Sequence, residues 1–238
     1  MNELVLLLPL FFLGGVISTV AGGGMGIVMI IAATLFLDIR SSIALASLLT
    51  VAIQLAKIAH FYRYARWNVV GWYIALGIPM SYAGGVILFA VPERIPKTVL
   101  AVVALLFVAI KLARRIPTLP ATRTNLVIFG GVNGLVGGLV GNAAMMRLPV
   151  LLSLGLSKEV LVGTSAVIAF PMNLSKLAAY IPNIIWTESY ITFFFMAIPT
   201  IFLSVWFGKK ILKNISKQLF EKLLLGIIFI GAIRLLLL

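Results

Sequence analysis

The sequence predicts an all-α polytopic membrane protein with two inverted repeats. Each repeat would hold a short-helix pair, broken at glycine or re-entrant, followed by three transmembrane helices. Three observations predict this class. Of the 238 residues, 62% are apolar and only 11% are charged, against roughly 25% charged in a soluble domain. Apolar runs recur along the chain, as at residues 99–110 and 223–233. The order of segments also restarts halfway along.

The breaks between apolar runs define the segments. In the first half we expect segments at 4–20, 24–37, 41–64, 69–90 and 97–112, and in the second half at 125–140, 142–154, 158–180, 187–207 and 217–237. No stretch is polar enough for a separate soluble domain. We therefore treat residues 1–238 as a single membrane domain with repeat 1 at 1–116, a cytoplasmic linker at 117–124 and repeat 2 at 125–238.

The second segment of each half is short. At a rise of 1.5 Å per residue, about 14 residues fall short of the ~30 Å hydrocarbon core. Each short segment therefore forms either a re-entrant hairpin with its predecessor or a span broken at glycine. Irregular backbone at membrane depth needs shielding by protein or a water-filled cavity. Both alternatives put the break beside a cavity.

Similar residues recur in the same order about 117 to 120 positions apart. Gln54 and Lys57 correspond to Asn173 and Lys176, with the same spacing of three. Because each repeat has an odd number of passes, the second copy must be inverted relative to the first. Inverted repeats are recurrent in secondary transporters, whose binding sites lie near the midplane at interrupted helices. The other matches are Ala46-Ser47 with Thr164-Ser165, Asn68 and Trp72 with Asn183 and Trp186, Gly77-Ile78-Pro79 with Ala197-Ile198-Pro199, and Ile95-Pro96-Lys97 with Ile215-Ser216-Lys217.

The formal net charge of +13 reflects membrane topology and does not indicate nucleic-acid binding. Most basic residues lie in short loops, and an excess of Lys and Arg marks the cytoplasmic side. One predicted side holds eleven of them and the other holds Arg40, Arg94, Lys97 and Arg234. We expect a multi-pass protein of the inner membrane with both termini outside the cytoplasm.

Two stretches of the sequence form a distinctive pattern of glycines and helix starts. They are Ala21-Gly22-Gly23-Gly24-Met25-Gly26 in the first half, and Gly155-Leu156-Ser157-Lys158-Glu159 with Gly163-Thr164-Ser165 in the second. This pattern resembles the TauE/SafE family, the sulfite exporters that include toluene-sulfonate uptake permeases. Where the family usually carries a second glycine triplet, this chain has Asn142-Ala143-Ala144. The resemblance covers nearly the whole chain. It implies transport of sulfur-oxyanion or small organosulfur anions.

Charge placement indicates an anion site without reference to the family. Lys57, Arg147 and Lys176 lie inside apolar segments, whereas all six acidic residues lie at or near segment ends. An intramembrane charge costs at least ~2.5 to 3.5 kcal/mol on insertion scales, so these cations should face water or an anion. The alternatives are that Lys57 snorkels to the interface and that Arg147 docks on backbone carbonyls.

The first glycine run is a second candidate binding element. At Gly22, Gly23 and Gly24, with Met25 beside them, backbone N–H groups could approach an oxyanion at the start of a helix. Asn142 begins the matching segment and is a natural helix cap. The alternative for such glycines is close helix packing. That alternative fits the pairs at 14–15, 84–85, 130–131 and 137–138 better.

Uncharged polar side chains within the segments complete the predicted site. Hydroxyl and amide groups can hydrogen-bond an oxyanion or can equally bridge two helices. The candidates are Ser47, Gln54, Thr164, Ser165 and Asn173.

These patterns predict a secondary transporter that moves sulfite, a sulfonate or a related oxyanion by alternating access. An anion channel or a non-transporting membrane scaffold remains an alternative. We expect no enzymatic activity, cofactor or metal, since the sequence has no cysteine, one histidine and no carboxylate pair within a segment. The expected partners are a small anionic substrate and the lipid bilayer, with a homodimer left open.

Overall fold

The computed structural model describes residues 8–9, 11–12, 25–113, 120–185, 187–211 and 217–237. Within these ranges the chain is helical, with 3₁₀ turns at Tyr62–Tyr64 and Ile181–Asn183. Most of the predicted first segment and residues 117–119 of the linker lie outside them. The α-helices are α1 (Met25–Ala33), α2 (Ile39–Phe61), α3 (Trp67–Ala90), α4 (Arg94–Ala113), α5 (Arg123–Val140), α6 (Ala144–Leu152), α7 (Lys158–Tyr180), α8 (Glu188–Ile211) and α9 (Lys217–Leu237).

The all-helical membrane class is confirmed for the described residues. Three helices, α2, α3 and α7, are long and apolar enough to cross a bilayer. Shorter apolar stretches lie in α8 and α9. The helix bounds agree with the predicted segments to within a few residues.

Local sequence sets several helix ends. The Asp38 carboxylate accepts hydrogen bonds from the backbone N–H groups of Arg40 and Ser41 at 2.9 and 3.0 Å, which begins α2. Thr122 caps α5 by accepting from the Asn125 N–H at 3.2 Å. α5 ends at Gly141, whose φ of 82° lies in the left-handed region that favours glycine.

Glycines bring α3 and α5 into direct backbone contact at Gly84, Gly130 and Gly138, which confirms close packing for one member of each of these predicted pairs. A Cβ atom on Gly130 would meet the Tyr73 carbonyl, and one on Gly138 would meet the Ser81 carbonyl. Close approach at small residues is the usual way in which membrane helices associate. Because 73 faces 130 and 81 faces 138, α3 and α5 run parallel and begin at the same end.

The bundle therefore has two distinguishable ends. At the first, which we call the Arg66 end, α2 finishes and α3, α5 and α7 begin; Gly163 of α7 packs there against the Phe61 carbonyl. At the second, the Arg40 end, α2 begins and α3 finishes, and Arg40 Nη2 donates to the Val91 carbonyl at 2.8 Å.

Helix α5 enters the bundle from the Arg66 end, and α6 runs back toward the same end. The start of α5 and the start of α7 both lie at the Arg66 end, so α6 must run back from Gly141. Its nine residues span only about 14 Å. Val150 and Leu151 of α6 pack with Leu126 near the start of α5. The second-half pair is thus re-entrant, the first of the two alternatives left open by segment length.

The two halves repeat the same order of helix lengths. α1 and α6 each have 9 residues, α2 and α7 each have 23, and α3 and α8 each have 24. Each 23-residue helix is followed by a three-residue 3₁₀ turn. The matched helices α2 and α7 pack against each other in antiparallel directions.

Candidate functional site

A cavity of about 220 Å³ lies between the re-entrant pair and helices α2 and α7. It extends from the break at Gly141 to Leu161 in the first turn of α7. The break lies inside the bundle and Leu161 lies near the Arg66 end, so the cavity is elongated along the helices. The polar residues that line it are Thr50, Gln54, Lys57, Ser81, Asn133, Asn142, Arg147, Ser165, Asn173 and Lys176.

Lys176 lies at the deep end of the cavity. Its side chain is only 3% exposed, and its ammonium donates a hydrogen bond to the Gly141 carbonyl. That carbonyl is free of helical partners because α5 ends there. The helix break thus supplies a partner to a cation that would otherwise be buried unpaired.

Arg147 comes from the first turn of α6 and is 8% exposed. Its Nε has no hydrogen-bond partner within the part of the chain that the structure describes. The guanidinium lies within electrostatic range of both Lys57 and Lys176, and of the Tyr73 phenol. Three cationic groups therefore share one cavity.

Lys57 lies one turn before the end of α2, at the wide end of the cavity. Its side chain is exposed, unlike that of Lys176. The apolar stretch of α2 places Gln54 on the same helix face, one turn deeper. The two lysines thus occupy opposite ends of one cavity, although they are counterparts in the two halves.

The helix break also gathers backbone and amide groups. The Asn142 side chain accepts a hydrogen bond from the Ala144 N–H at 2.9 Å. The N-cap position of α6 is Ala143, one residue after the predicted Asn142, and α6 begins two residues later than expected. Gly26 of α1 packs against the same amide, because a Cβ there would lie 2.7 Å from Asn142 Cγ. The starts of α1 and α6 therefore meet at the cavity.

Seven of the residues predicted to bind substrate line the cavity, but two others do not. Ser47 is buried on α2 near Gly141, beyond the deep end. Thr164 is also buried, and its hydroxyl accepts a hydrogen bond from the Arg66 N–H at 3.0 Å. That bond ties α7 to the start of α3. The residues that line the cavity are Gln54, Lys57, Asn142, Arg147, Ser165, Asn173 and Lys176.

The predicted binding role of the first-half glycine run falls largely on residues that the structure does not describe. Gly22, Gly23 and Gly24 lie outside the described residues, and of Met25 only the backbone is described. Their contact with substrate stays a prediction.

Three polar lining residues were missed from the sequence. Thr50 and Ser81 lie in spans where a hydroxyl commonly bonds its own helix, and Thr50 does so by donating to the Ser47 carbonyl at 2.8 Å. Asn133 is 4% exposed and its amide approaches the Met172 sulfur at 4.0 Å. An asparagine inside a glycine-rich apolar helix was the signal that could have identified it.

The cavity is closed at its deep end. The Tyr180 hydroxyl donates to the Gly138 carbonyl, next to the Lys176 bond to Gly141. The Tyr180 ring also packs edge-on against Phe89 with centroids 6.0 Å apart. Toward the Arg66 end, Lys57 is the exposed residue among the described lining. The described lining is thus buried at its deep end and exposed at the Arg66 end.

The chemistry of the cavity suits an anion. Its described lining carries three cationic side chains and no acidic one. Among the described residues no group of three or more His, Cys, Asp or Glu side chains could hold a metal ion. Hydroxyl and amide groups beside the cations can complete the hydrogen bonds of an oxyanion.

Comparison with known proteins agrees with this cavity chemistry. The family model described as "Sulfite exporter TauE/SafE" matches residues 7–235, almost the full length of the chain. No curated protein and no solved structure gives a significant match. With apolar helices that can cross a membrane and a family model that covers both halves, the chain belongs to the TauE/SafE family of sulfite exporters, which are membrane transporters.

Proposed function

We propose that this protein is a secondary transporter that moves a small anion across the inner membrane by alternating access. The substrate would be sulfite, a sulfonate or a related sulfur oxyanion, bound in the cavity between α2, α5, α6 and α7. The observation that carries the proposal is the convergence of Lys57, Arg147 and Lys176 on one cavity whose described lining has no acidic residue.

The electrostatics of the empty cavity favour an anionic occupant. Two unit charges 4 Å apart interact by about 4 kcal/mol at an effective dielectric constant of 20. Like charges in the cavity repel one another, less strongly at larger separations, and a bound anion replaces that repulsion with attraction. The start of α6 adds a favourable helix dipole and backbone N–H groups at the same place.

The similarity of the two halves supports alternating access. Their helices repeat in length, and the matched helices α2 and α7 run antiparallel, as an inverted repeat requires. The contacts also repeat when the halves are exchanged. α3 packs on α7, and its counterpart α8 packs on α2. If the two halves exchanged these arrangements, the cavity would close at the Arg66 end and open at the Arg40 end.

The Arg66 end of the cavity is proposed to face the cytoplasm. Arg63, Arg66 and Arg123 lie at that end, where an excess of basic residues marks the cytoplasmic side. This orientation puts both termini outside. It makes the present conformation inward-facing, and a closed end favours a transporter over a channel.

We expect labelling of single cysteines to report this orientation. Cysteines introduced at Thr118 and Lys210 should react only after the membrane is permeabilised to the reagent. A cysteine at Asn183 should react from outside in intact cells. Protection of Asn183 in intact cells would contradict the orientation and weaken the inverted-repeat proposal.

A panel of anions tests the proposed substrate class. We expect sulfite, thiosulfate or a small sulfonate to raise the melting temperature of the purified protein more than chloride at equal ionic strength. Carboxylates of similar size are the matched comparison, because they carry charge without the sulfur-oxyanion geometry. If no anion raised the melting temperature above the chloride baseline, the proposed site would be wrong, and the scaffold alternative would gain support.

A further inference from the structure

A second cationic feature lies outside the cavity, on the surface at the Arg66 end. The parallel contact of α3 with α5 pairs position 73 with 130 and 81 with 138. The same register puts Arg66, just before α3, level with Arg123 at the start of α5. Both side chains are exposed, as is that of Arg63 in the adjoining 3₁₀ turn. Two adjacent helix starts thus carry exposed arginines at the same level.

Exposed aromatic rings accompany these arginines. The Arg123 guanidinium lies 5.2 Å from the ring centroid of Trp72, and that of Arg63 lies 5.7 Å from the Tyr62 ring. Trp67 is 60% exposed and Trp72 is 43% exposed. Tryptophan and tyrosine prefer the headgroup level of a membrane, so the arginines are held at that depth.

An exposed apolar surface continues from the aromatic rings along the same two helices. Leu76 and Val86 of α3, and Ile128 and Val132 of α5, are each 39% to 50% exposed. Contiguous exposed apolar surface on a helix of this length faces lipid. A molecule bound to the arginines could therefore extend a hydrocarbon chain along α3 and α5.

No described ion pair involves the arginines of this surface. Of the acids whose side chains the structure describes, Glu159 at the start of α7 lies at this end, and Asp38, Glu93 and Glu188 lie at the other. The described ion pair, Lys97 with Glu93 at 4.0 Å, is at the Arg40 end. Within the described residues, Arg66 and Arg123 therefore have no carboxylate partner.

We infer that Arg66, Arg123, Trp67 and Trp72 form a binding site for an anionic phospholipid. The phosphate would lie between the two guanidinium groups, which suit a phosphate through paired N–H donors. The acyl chains would lie along the exposed faces of α3 and α5. This site is separate from the cavity and does not depend on which anion is transported.

Native mass spectrometry of the purified protein tests this inference with phosphatidylglycerol and phosphatidylcholine of identical acyl chains. We expect preferential retention of phosphatidylglycerol. In the double variant Arg66→Gln, Arg123→Gln the affinity for phosphatidylglycerol should fall about 25-fold, at about 5-fold for each arginine near an anionic headgroup. The matched control is Arg94→Gln at the Arg40 end, which should leave retention unchanged.

Each other outcome has a defined meaning. If the double variant fails to fold, Arg66→Lys with Arg123→Lys keeps the charge, and the preference should then weaken as salt increases. Equal retention of both lipids, or an unchanged preference in the double variant, would overturn the inference. Stabilisation by glycerol 3-phosphate alone would show a soluble-phosphate site and would likewise contradict a lipid site.

Discussion

Replacement of Lys176 by methionine is expected to abolish most anion binding while leaving the protein folded. Methionine keeps the length and apolar stem of lysine and removes the charge. Because Lys176 is 3% exposed and lies at the deep end of the cavity, its ammonium cannot be replaced by a solvent cation. We expect affinity to fall about 10- to 100-fold, which corresponds to about 1.4 to 2.8 kcal/mol.

The empty Lys176→Met protein should be at least as stable as the wild type. The lysine ammonium gives up hydration on burial and faces Arg147, so its removal relieves both costs. The Gly141 carbonyl loses its partner, which offsets part of the gain. Lys176→Arg should restore binding only in part, since a planar guanidinium does not reproduce the geometry of an ammonium.

Comparing Lys57→Met with Lys176→Met tests whether these lysines bind the anion or whether loss of any positive charge has the same effect. Lys57→Met should weaken binding less than Lys176→Met, because the Lys57 side chain is exposed and that of Lys176 is buried. Lys97→Met is the matched control outside the cavity, since an exposed ion pair contributes little stability. If anions still raised the melting temperature fully in both Lys57→Met and Lys176→Met, neither lysine would bind substrate: Lys57 would be snorkelling, and Lys176 would serve only its bond to the Gly141 carbonyl. The site would then have to be sought at the glycine break and Arg147.

Replacement of Gly138 by alanine is expected to destabilise the fold strongly. A Cβ there would meet the Ser81 carbonyl and lie 2.8 Å from the Gly84 Cα. Both obstacles are backbone, so no side chain can rotate away and α3 and α5 must move apart. Overpacking of this kind costs about 1 to 3 kcal/mol. The movement would also shift the Gly138 carbonyl to which Tyr180 donates.

Gly71 provides the matched control for this substitution. It lies in α3, and no atom would lie within 4 Å of an added Cβ. Gly71→Ala should therefore be neutral or slightly stabilising, because alanine favours a helix by about 1 kcal/mol over glycine. Thermal melting followed by size-exclusion chromatography measures both variants. Equal melting temperatures for Gly138→Ala and Gly71→Ala would show that the α3–α5 contact is not as close as described.

Much of the fold could be predicted because each membrane helix corresponds to a long run of apolar residues in the sequence. The limits of α7 and α9 match the predicted segments, and α3 differs by two residues at its start. Segment length alone could not decide whether the short helices span or re-enter. That decision rests on the side at which α7 begins, which depends on the packing of α3, α5 and α7.

The candidate site was partly predictable for an energetic reason. A lone cation in an apolar segment is costly, so Lys57, Arg147 and Lys176 could be singled out before their positions were known. Uncharged polar residues carry no such signal. Thr164 and Ser165 are adjacent in sequence but point about 100° apart on a helix. Only Ser165 lines the cavity, while Thr164 bonds the Arg66 N–H.

The distinction between a transporter and a channel is the central functional claim. Counterflow in proteoliposomes tests it most directly. Vesicles loaded with a high concentration of unlabelled sulfite are diluted into a trace of labelled sulfite, with Lys176→Met as the inactive comparison. Alternating access predicts that the label accumulates transiently inside, above its external concentration, and that Lys176→Met shows no such accumulation. Equilibration without an overshoot would indicate a channel, and the absence of any sulfite flux by the wild type would contradict the account.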